Sequence, residues 1–192
     1  MTPDKRPQSR PAGASARTRR LIVDTAIETL ADTPAAALGE IAAAAGVSRS
    51  TLHRHFADRA DLVAAIDEEC RGRFDVATQR ADPAGGTGLD ALTRLCLEYF
   101  ELGPVLGLIF ADNAIIDPDE WPSDGEAGMI MVIQRGQRDG TVDPQLPSEW
   151  LIITFWVLLF GAWQAAQQGE TRRRDVPGLL ARTLVGAFGI RS

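Results

Sequence analysis

The stretch from Leu38 to Phe56 reads LGEIAAAAGVSRSTLHRHF and decides how the rest of the chain is organised. Its first half, Leu38 to Ala45, is a short helix so rich in alanine that a second helix can lie close against its backbone. Leu38, Ile41, Ala42 and Ala45 recur at helical spacing and form one buried stripe. Gly46 stands where a tight turn between crossed helices needs a positive φ, which glycine adopts without steric cost. Val47 plugs the corner. Ser48 is an N-cap whose hydroxyl accepts from an early backbone N–H of the next helix, Arg49 to Phe56. Leu52 and Phe56, four apart, share the inner face of that helix.

The outer face then holds Arg49, Ser50, Thr51, His53, Arg54 and His55, an array of hydrogen-bond donors with no carboxylate among them. Two helices crossed over a glycine turn, the second basic and polar outside, form a helix-turn-helix whose second helix meets base edges in a DNA major groove. The two histidines are two residues apart, roughly 200° around a helix, so they cannot chelate one metal ion.

With its flanks, the segment EIAAAAGVSRSTLHRHFADRADLVAAI, Glu40 to Ile66, resembles the DNA-binding signature of TetR-type transcriptional repressors. Phe56 holds the aromatic place that follows the recognition helix, and Leu62 the leucine place of the fourth helix. His53 stands where the family usually carries a phosphate-touching tyrosine, and Arg59 where it carries lysine. Both substitutes donate to phosphate, so the resemblance implies DNA contacts from Ser48, Arg49, Ser50, Thr51, His53, Arg54, His55 and Arg59. One departure removes a contact: Ala37 and Leu38 stand where the family often carries a hydroxyl near the start of its second helix. The resemblance is specific over about residues 17–70 and architectural beyond.

Outward from that core, residues 1–14 are rich in Pro, Ser, Gly and basic side chains without periodic apolar positions, and read as a mobile arm. The arm is either a solubilising tail or an electrostatic aid to DNA binding. Leu21, Ile22, Ala26, Ile27 and Leu30 mark a helix over about residues 16–31, with Arg17, Arg19 and Arg20 near its start, facing phosphate. Residues 15–60 thus form a three-helix DNA-binding unit. Asp58 caps a fourth helix that runs to about Arg80, one end on the DNA-binding unit and the other in the body. The net charge of the 192-residue chain is −6, but residues 1–60 hold nine basic and six acidic side chains and the remainder eleven and twenty, +3 against −9. A basic head on an acidic body binds DNA with the head alone.

Residues 61–192 read as a helical effector-binding and dimerisation domain, for about nine helices in an all-α chain. Helices are expected from Leu89, over Val105 to Ile116, from Trp121 to Arg138, over the apolar run that opens at Trp150, and over Val176 to Ile190 with Leu180, Leu184 and Phe188 on one side. The acidic Asp117-Pro118-Asp119-Glu120 fits a helix start better than a metal site. Leu151 to Trp163 lacks any charge but falls short of the roughly 20 residues of a membrane span. It reads as a buried or interface helix.

In the resembled family the last two helices pair across a two-fold axis and the middle helices enclose a small-molecule pocket. This implies a homodimer on a palindromic operator of double-stranded DNA, released by a small-molecule effector. Tyr99, Phe100, Phe110, Trp121, Met129 and Ile133 are the candidate lining, each equally suited to ordinary core packing. The two cysteines, Cys70 and Cys96, have no ligand-like spacing, and the first twenty residues hold no apolar run of a secretory signal. The expectation is a cytoplasmic regulator, with no membrane, metal or cofactor. The alternatives are a helical DNA-binding regulator without a ligand and an all-α enzyme. For the enzyme, no nucleophile, base and orienting group stand together, and both histidines lie on the DNA-reading helix.

Overall fold

The computed structural model describes residues 12–110, 115–116, 124–169 and 171–190. Among these residues the regular elements are all helical: α1 (Ala12–Asp32), α2 (Leu38–Ala44), α3 (Arg49–His55), α4 (Arg59–Ala81), α5 (Gly88–Phe100), α6 (Pro104–Phe110), α7 (Asp124–Arg138), α8 (Ser148–Gln168) and α9 (Val176–Phe188). Trp121 and the Asp117–Glu120 cluster lie outside the described residues, as does the arm up to residue 11.

The DNA-binding unit closes as its pattern requires. Ile22, Ala26, Ile27 and Leu30 of α1 meet Ile41 and Ala42 of α2, Leu52 and Phe56 around α3, and Leu62 and Ile66 of α4 in one buried cluster. Gly46 takes φ 65°, and Ser48 Oγ accepts from Thr51 N at 3.1 Å. Asp58 caps α4 by accepting from Asp61 N at 2.9 Å, and Asp61 reaches back to Ala57 N at 3.0 Å. Three expectations are corrected. α1 starts at Ala12 rather than near residue 16, because Ala12, Ala14 and Ala16 are strong helix formers that carry no apolar periodicity. Leu21, expected on its buried side, is half exposed. Of the stretch expected to be helical to Ile116, the described helix covers Pro104–Phe110, and Ile115 N donates to Leu108 O at 3.0 Å.

In the body, α5 lies against α4, α7, α8 and α9, and α8 pairs with α9. Leu151, Phe155 and Leu159 form the inner stripe of α8, and Leu180, Leu184 and Phe188 that of α9. α8 is 21 residues long and is the one described helix long and apolar enough to cross a membrane, longer than its charge-free run implied. Its inner stripe is seated in the protein core. α5 and α7 cross where Gly88 meets Gly136. Beside that crossing, Asp139 accepts from Gly88 N at 2.8 Å and from Thr141 Oγ1 at 2.6 Å, which holds its carboxyl below the ordinary value.

Two features join the DNA-binding unit to the body. Gly107 brings α6 against Ala31 at the end of α1, so closely that a Cβ at residue 107 would lie 3.0 Å from the Ala31 Cβ. α4 passes from one unit to the other without a break, and Arg73 on it bridges Glu69 at 3.0 Å and Asp24 of α1. This bridge borders an open groove of about 810 Å³ between α1, α4 and α5 that carries both signs of charge.

Candidate nucleic-acid interface and effector cleft

α3 presents its polar side outward because Leu52 and Phe56 are fully enclosed on the other. Ser48, Arg49, Ser50, His53 and Arg54 are exposed, and Thr51 and His55 are half-buried. The hydroxyls form a chain: Ser48 Oγ lies 2.9 Å from both Ser50 Oγ and Thr51 Oγ1, and Arg54 Nη2 donates to Thr51 Oγ1 at 3.1 Å. This restricts the rotamers of four groups that would otherwise be ordered only on binding, a cost that pre-organisation lowers. The Arg49 guanidinium lies over Gly39 of α2, where an added Cβ would come within 2.8 Å of Nε and Nη2. The His55 ring is tilted against Phe56 with centroids 6.4 Å apart, so part of it is withdrawn from the outer face.

Arg59 is engaged within the unit. Its Nη1 donates to Ala36 O at 2.6 Å and its Nη2 to Pro34 O at 2.7 Å, so both arms of the fork tie the start of α4 to the α1–α2 connection. Its guanidinium is turned to these carbonyls. Arg17, Arg19 and Arg20 of α1 are exposed, and the Arg19 guanidinium lies 5.1 Å above the Phe56 ring. At Ala37, which has no hydroxyl, Glu40 Oε2 accepts from the backbone N–H at 2.6 Å. This satisfies the Ala37 N–H, while Ala37 offers no side-chain acceptor to the first turn of α2.

A cleft of about 410 Å³ opens between the end of α4, the α4–α5 connection, α5 and α7. Thr78 comes from α4, Pro83 and Ala84 from the connection, Leu95 and Tyr99 from α5, and Met129, Val132, Arg135 and Arg138 from α7. The volume falls in the range of small-molecule sites. Tyr99 and Thr78 are joined by a 2.8 Å hydrogen bond between their hydroxyls. Burial raises the Tyr99 phenol above its ordinary value, against the opposing effect of that bond, so the hydroxyl stays neutral. Behind Tyr99 the ring of Trp156 lies nearly parallel to it with centroids 6.0 Å apart, and Phe74 and Phe155 meet its ring edge-on. The α4–α5 connection is held by arginines: Arg94 donates to Ala81 O and Gly85 O at 2.7 Å, and Arg135 to Ala84 O at 2.9 Å.

A family described as bacterial regulatory proteins, tetR family, matches residues 22–66, the span of the two crossed helices and their flanks. Over the whole chain, the HTH-type transcriptional repressor LfrR of Mycolicibacterium smegmatis is 35% identical across 175 residues, 91% of this chain and 93% of that protein. The chain belongs to the tetR family. It is a DNA-binding transcriptional regulator. The HTH-type transcriptional regulator NfxB of Pseudomonas aeruginosa is 31% identical over 157 residues, 79% of this chain and 83% of that one. A crystal structure of LfrR in complex with proflavine superposes with a TM-score of 0.74 at 34% identity, covering 94% of this chain and 99% of that one.

Of the tetR-type pocket residues expected from sequence, the cleft brings together Tyr99 and Met129. Phe100 and Ile133 are buried and are not among its described lining residues. Phe110 belongs instead to an aromatic group with Trp156, Phe160 and Trp163, at centroid distances of 6.3, 5.3 and 6.0 Å. Sequence reading missed Thr78, Arg135 and Arg138. Each is an ordinary polar position on an amphipathic helix, and only the tertiary crossing of three elements gives it a common wall. Cys70 and Cys96 are buried free thiols, both pushed up to about 12 chiefly by desolvation, and neither is a reactive thiolate.

Proposed function

We propose that the chain is a dimeric repressor in the cytoplasm that holds a palindromic operator through α3 and leaves it when a small molecule enters the α4–α5–α7 cleft. The observation that carries the DNA half is the exposed face of α3, whose hydroxyls and arginines are already ordered on a rigid apolar underside. Arg49, Arg54, Ser48, Ser50, Thr51 and His53 supply base and phosphate contacts, His55 contributes from the edge, and Arg59 braces the unit. Arginine on the outer face of a recognition helix donates in a fork to guanine, the commonest specific contact in the major groove.

The test is footprinting on DNA flanking the reading frame, which reads the operator and its symmetry directly. Arg49→Ala should weaken specific binding by about 10- to 100-fold, with helix content and assembly unchanged. Equal protection by wild type and variant would remove Arg49 from the interface. Absence of any protected sequence would remove the DNA-binding assignment of α3.

Effector release runs through α4. This helix ends at Thr78 to Ala81 in the cleft wall and starts at Arg59 on the DNA-binding unit, a rigid span of about 34 Å. A ligand that separates Tyr99 from Thr78 moves the far end of α4 and changes the spacing of the two recognition helices in the dimer. By linkage, it lowers DNA affinity by the ratio of its own affinities for the two arrangements. The presence of proflavine in LfrR supports small-molecule binding as such. The head-group chemistry is set by this chain's own lining residues.

Tyr99→Phe keeps the ring and removes the bond. Free operator affinity should stay within about twofold, while the effector concentration for half-release shifts by about threefold or more. An unchanged release midpoint would take the Tyr99–Thr78 contact out of the coupling route.

A further inference from the structure

The cleft's charge is one-sided. Its described lining residues include two guanidinium groups, Arg135 and Arg138, and no carboxylate. Arg135 points two of its nitrogens at the α4–α5 connection, Nη1 to Ala84 O at 2.9 Å and Nη2 to Thr87 O at 3.4 Å. Its Nε is buried with no acceptor, an arrangement that is unfavourable until an acceptor arrives. Arg138 is exposed one helical turn further along α7 and forms no ion pair with the described residues. Of the described acidic groups, Asp139 offsets part of the Arg135 charge from outside the cleft lining. Asp139, which acts on Arg135, is engaged with Gly88 N, Thr141 N and Thr141 Oγ1. Asp75, which acts on Tyr99, stands on the exposed side of α4. The remaining wall is apolar: Leu95, Tyr99, Met129 and Val132.

We propose that this cleft selects an amphipathic carboxylate, with its apolar body against Leu95, Tyr99, Met129 and Val132 and its anionic head at Arg138, with Arg135 adding positive charge from the wall. This rests on the effector-cleft reading above and adds the ligand class to it. A last-turn arginine also complements the helix dipole, but that role asks only for positive charge near the α7 terminus. Lining a cleft whose other walls are hydrocarbon is a separate property. A carboxylate accepts a guanidinium fork in two parallel bonds, whereas an ammonium group at the same place meets like charge.

Three probes with the same ten-carbon body separate the contributions: decanoate, decanol and decyltrimethylammonium, each below its micelle concentration, titrated into the full chain by calorimetry at low salt. Decanoate should bind about tenfold or more tighter than decyltrimethylammonium, with decanol between. Arg138→Glu should invert that order, and its exposed position makes the exchange tolerable to the fold. Equal affinity for the three head groups, or an order untouched by Arg138→Glu, overturns the proposal.

A second variant tells this failure from failure of the cleft reading. Gly128 lines the cleft, and a Cβ built there meets nothing within 4 Å, so Gly128→Phe lays a ring across the space. Loss of all three probes in Gly128→Phe without any head-group preference in the wild type keeps the cleft and discards the carboxylate. Undiminished binding of decanoate to Gly128→Phe discards both.

Discussion

Replacing Gly88 by alanine should lower the melting temperature by about 6–12 °C, the shift that a loss of about 3 kcal/mol gives in a chain of this size. The cost arises because the added Cβ would lie 2.2 Å from Gly136 Cα, 2.3 Å from Gly136 N and 2.9 Å from Val132 O. All three are backbone atoms and cannot rotate away. Relief requires α5 and α7 to separate, and Gly136 is itself closely packed on its other side, where an added Cβ would lie 2.4 Å from Val142 Cγ2. The same separation would stretch the Gly88 N–H to Asp139 bond and spread the walls of the cleft, because Leu95 and Tyr99 ride on α5 and Met129 to Arg138 on α7. Ligand affinity should therefore fall together with stability. Gly72→Ala is the matched control: residue 72 is exposed on α4 with nothing within 4 Å of the new Cβ, so stability should rise by about 0.5–1 kcal/mol through helix propensity alone. Equal melting temperatures for Gly88→Ala and Gly72→Ala would show that α5 and α7 do not cross as closely as described.

These two glycines also show where sequence reading stops. Gly46 was legible because its turn is local: a helix ends before it, a capping serine follows two residues later, and the apolar positions on either side fix the register. The same holds for the Leu52–Phe56 pair and for the Asp58 cap, each decided within a few residues. Nothing local marks Gly88 as a crossing point, since its partner is 48 positions away in sequence. The outer face of α3 could be assigned by subtraction from its inner face, but the inward turn of Arg59 could not. Its acceptors, Pro34 O and Ala36 O, are backbone atoms whose positions depend on how α2 is seated. The cleft was half legible for the same reason. Tyr99 and Met129 stand out as large side chains on middle helices, while Thr78 and Arg138 acquire a role only through the fold. Phe110, read from its size alone, stands with Phe160 of α8, a contact that only the packing of α6 on α8 reveals.

Val157→Glu should convert the protein to a protomer of 20.7 kDa in sedimentation and reduce operator affinity by about 100-fold or more. Trp150, Ile153 and Val157 are 57, 56 and 60% exposed, at spacings of three and four along α8, opposite the buried stripe of Leu151, Phe155 and Leu159. On α9 and just after it, Leu179 and Ile190 are also exposed, at 53 and 50%. A patch of this kind on the two terminal helices is costly in water and is the surface we assign to a second copy of the chain. In a two-fold interface each substitution appears twice and faces its own symmetry region, so one glutamate per protomer buries two like charges without partners. The monomer keeps its helix content, because the inner stripe of α8 is untouched and residue 157 makes little contribution to the protomer core. What it loses is the second recognition helix. In the dimer the second half-site is engaged at an effective concentration set by the rigid body, and a single α3 has no such advantage. A half-site oligonucleotide separates this loss from damage to α3, since its weak affinity should be the same for wild type and Val157→Glu. If the variant sediments as a dimer and binds the full operator undiminished, the α8 face is not the interface and the two-fold arrangement of recognition helices must be built elsewhere on the body.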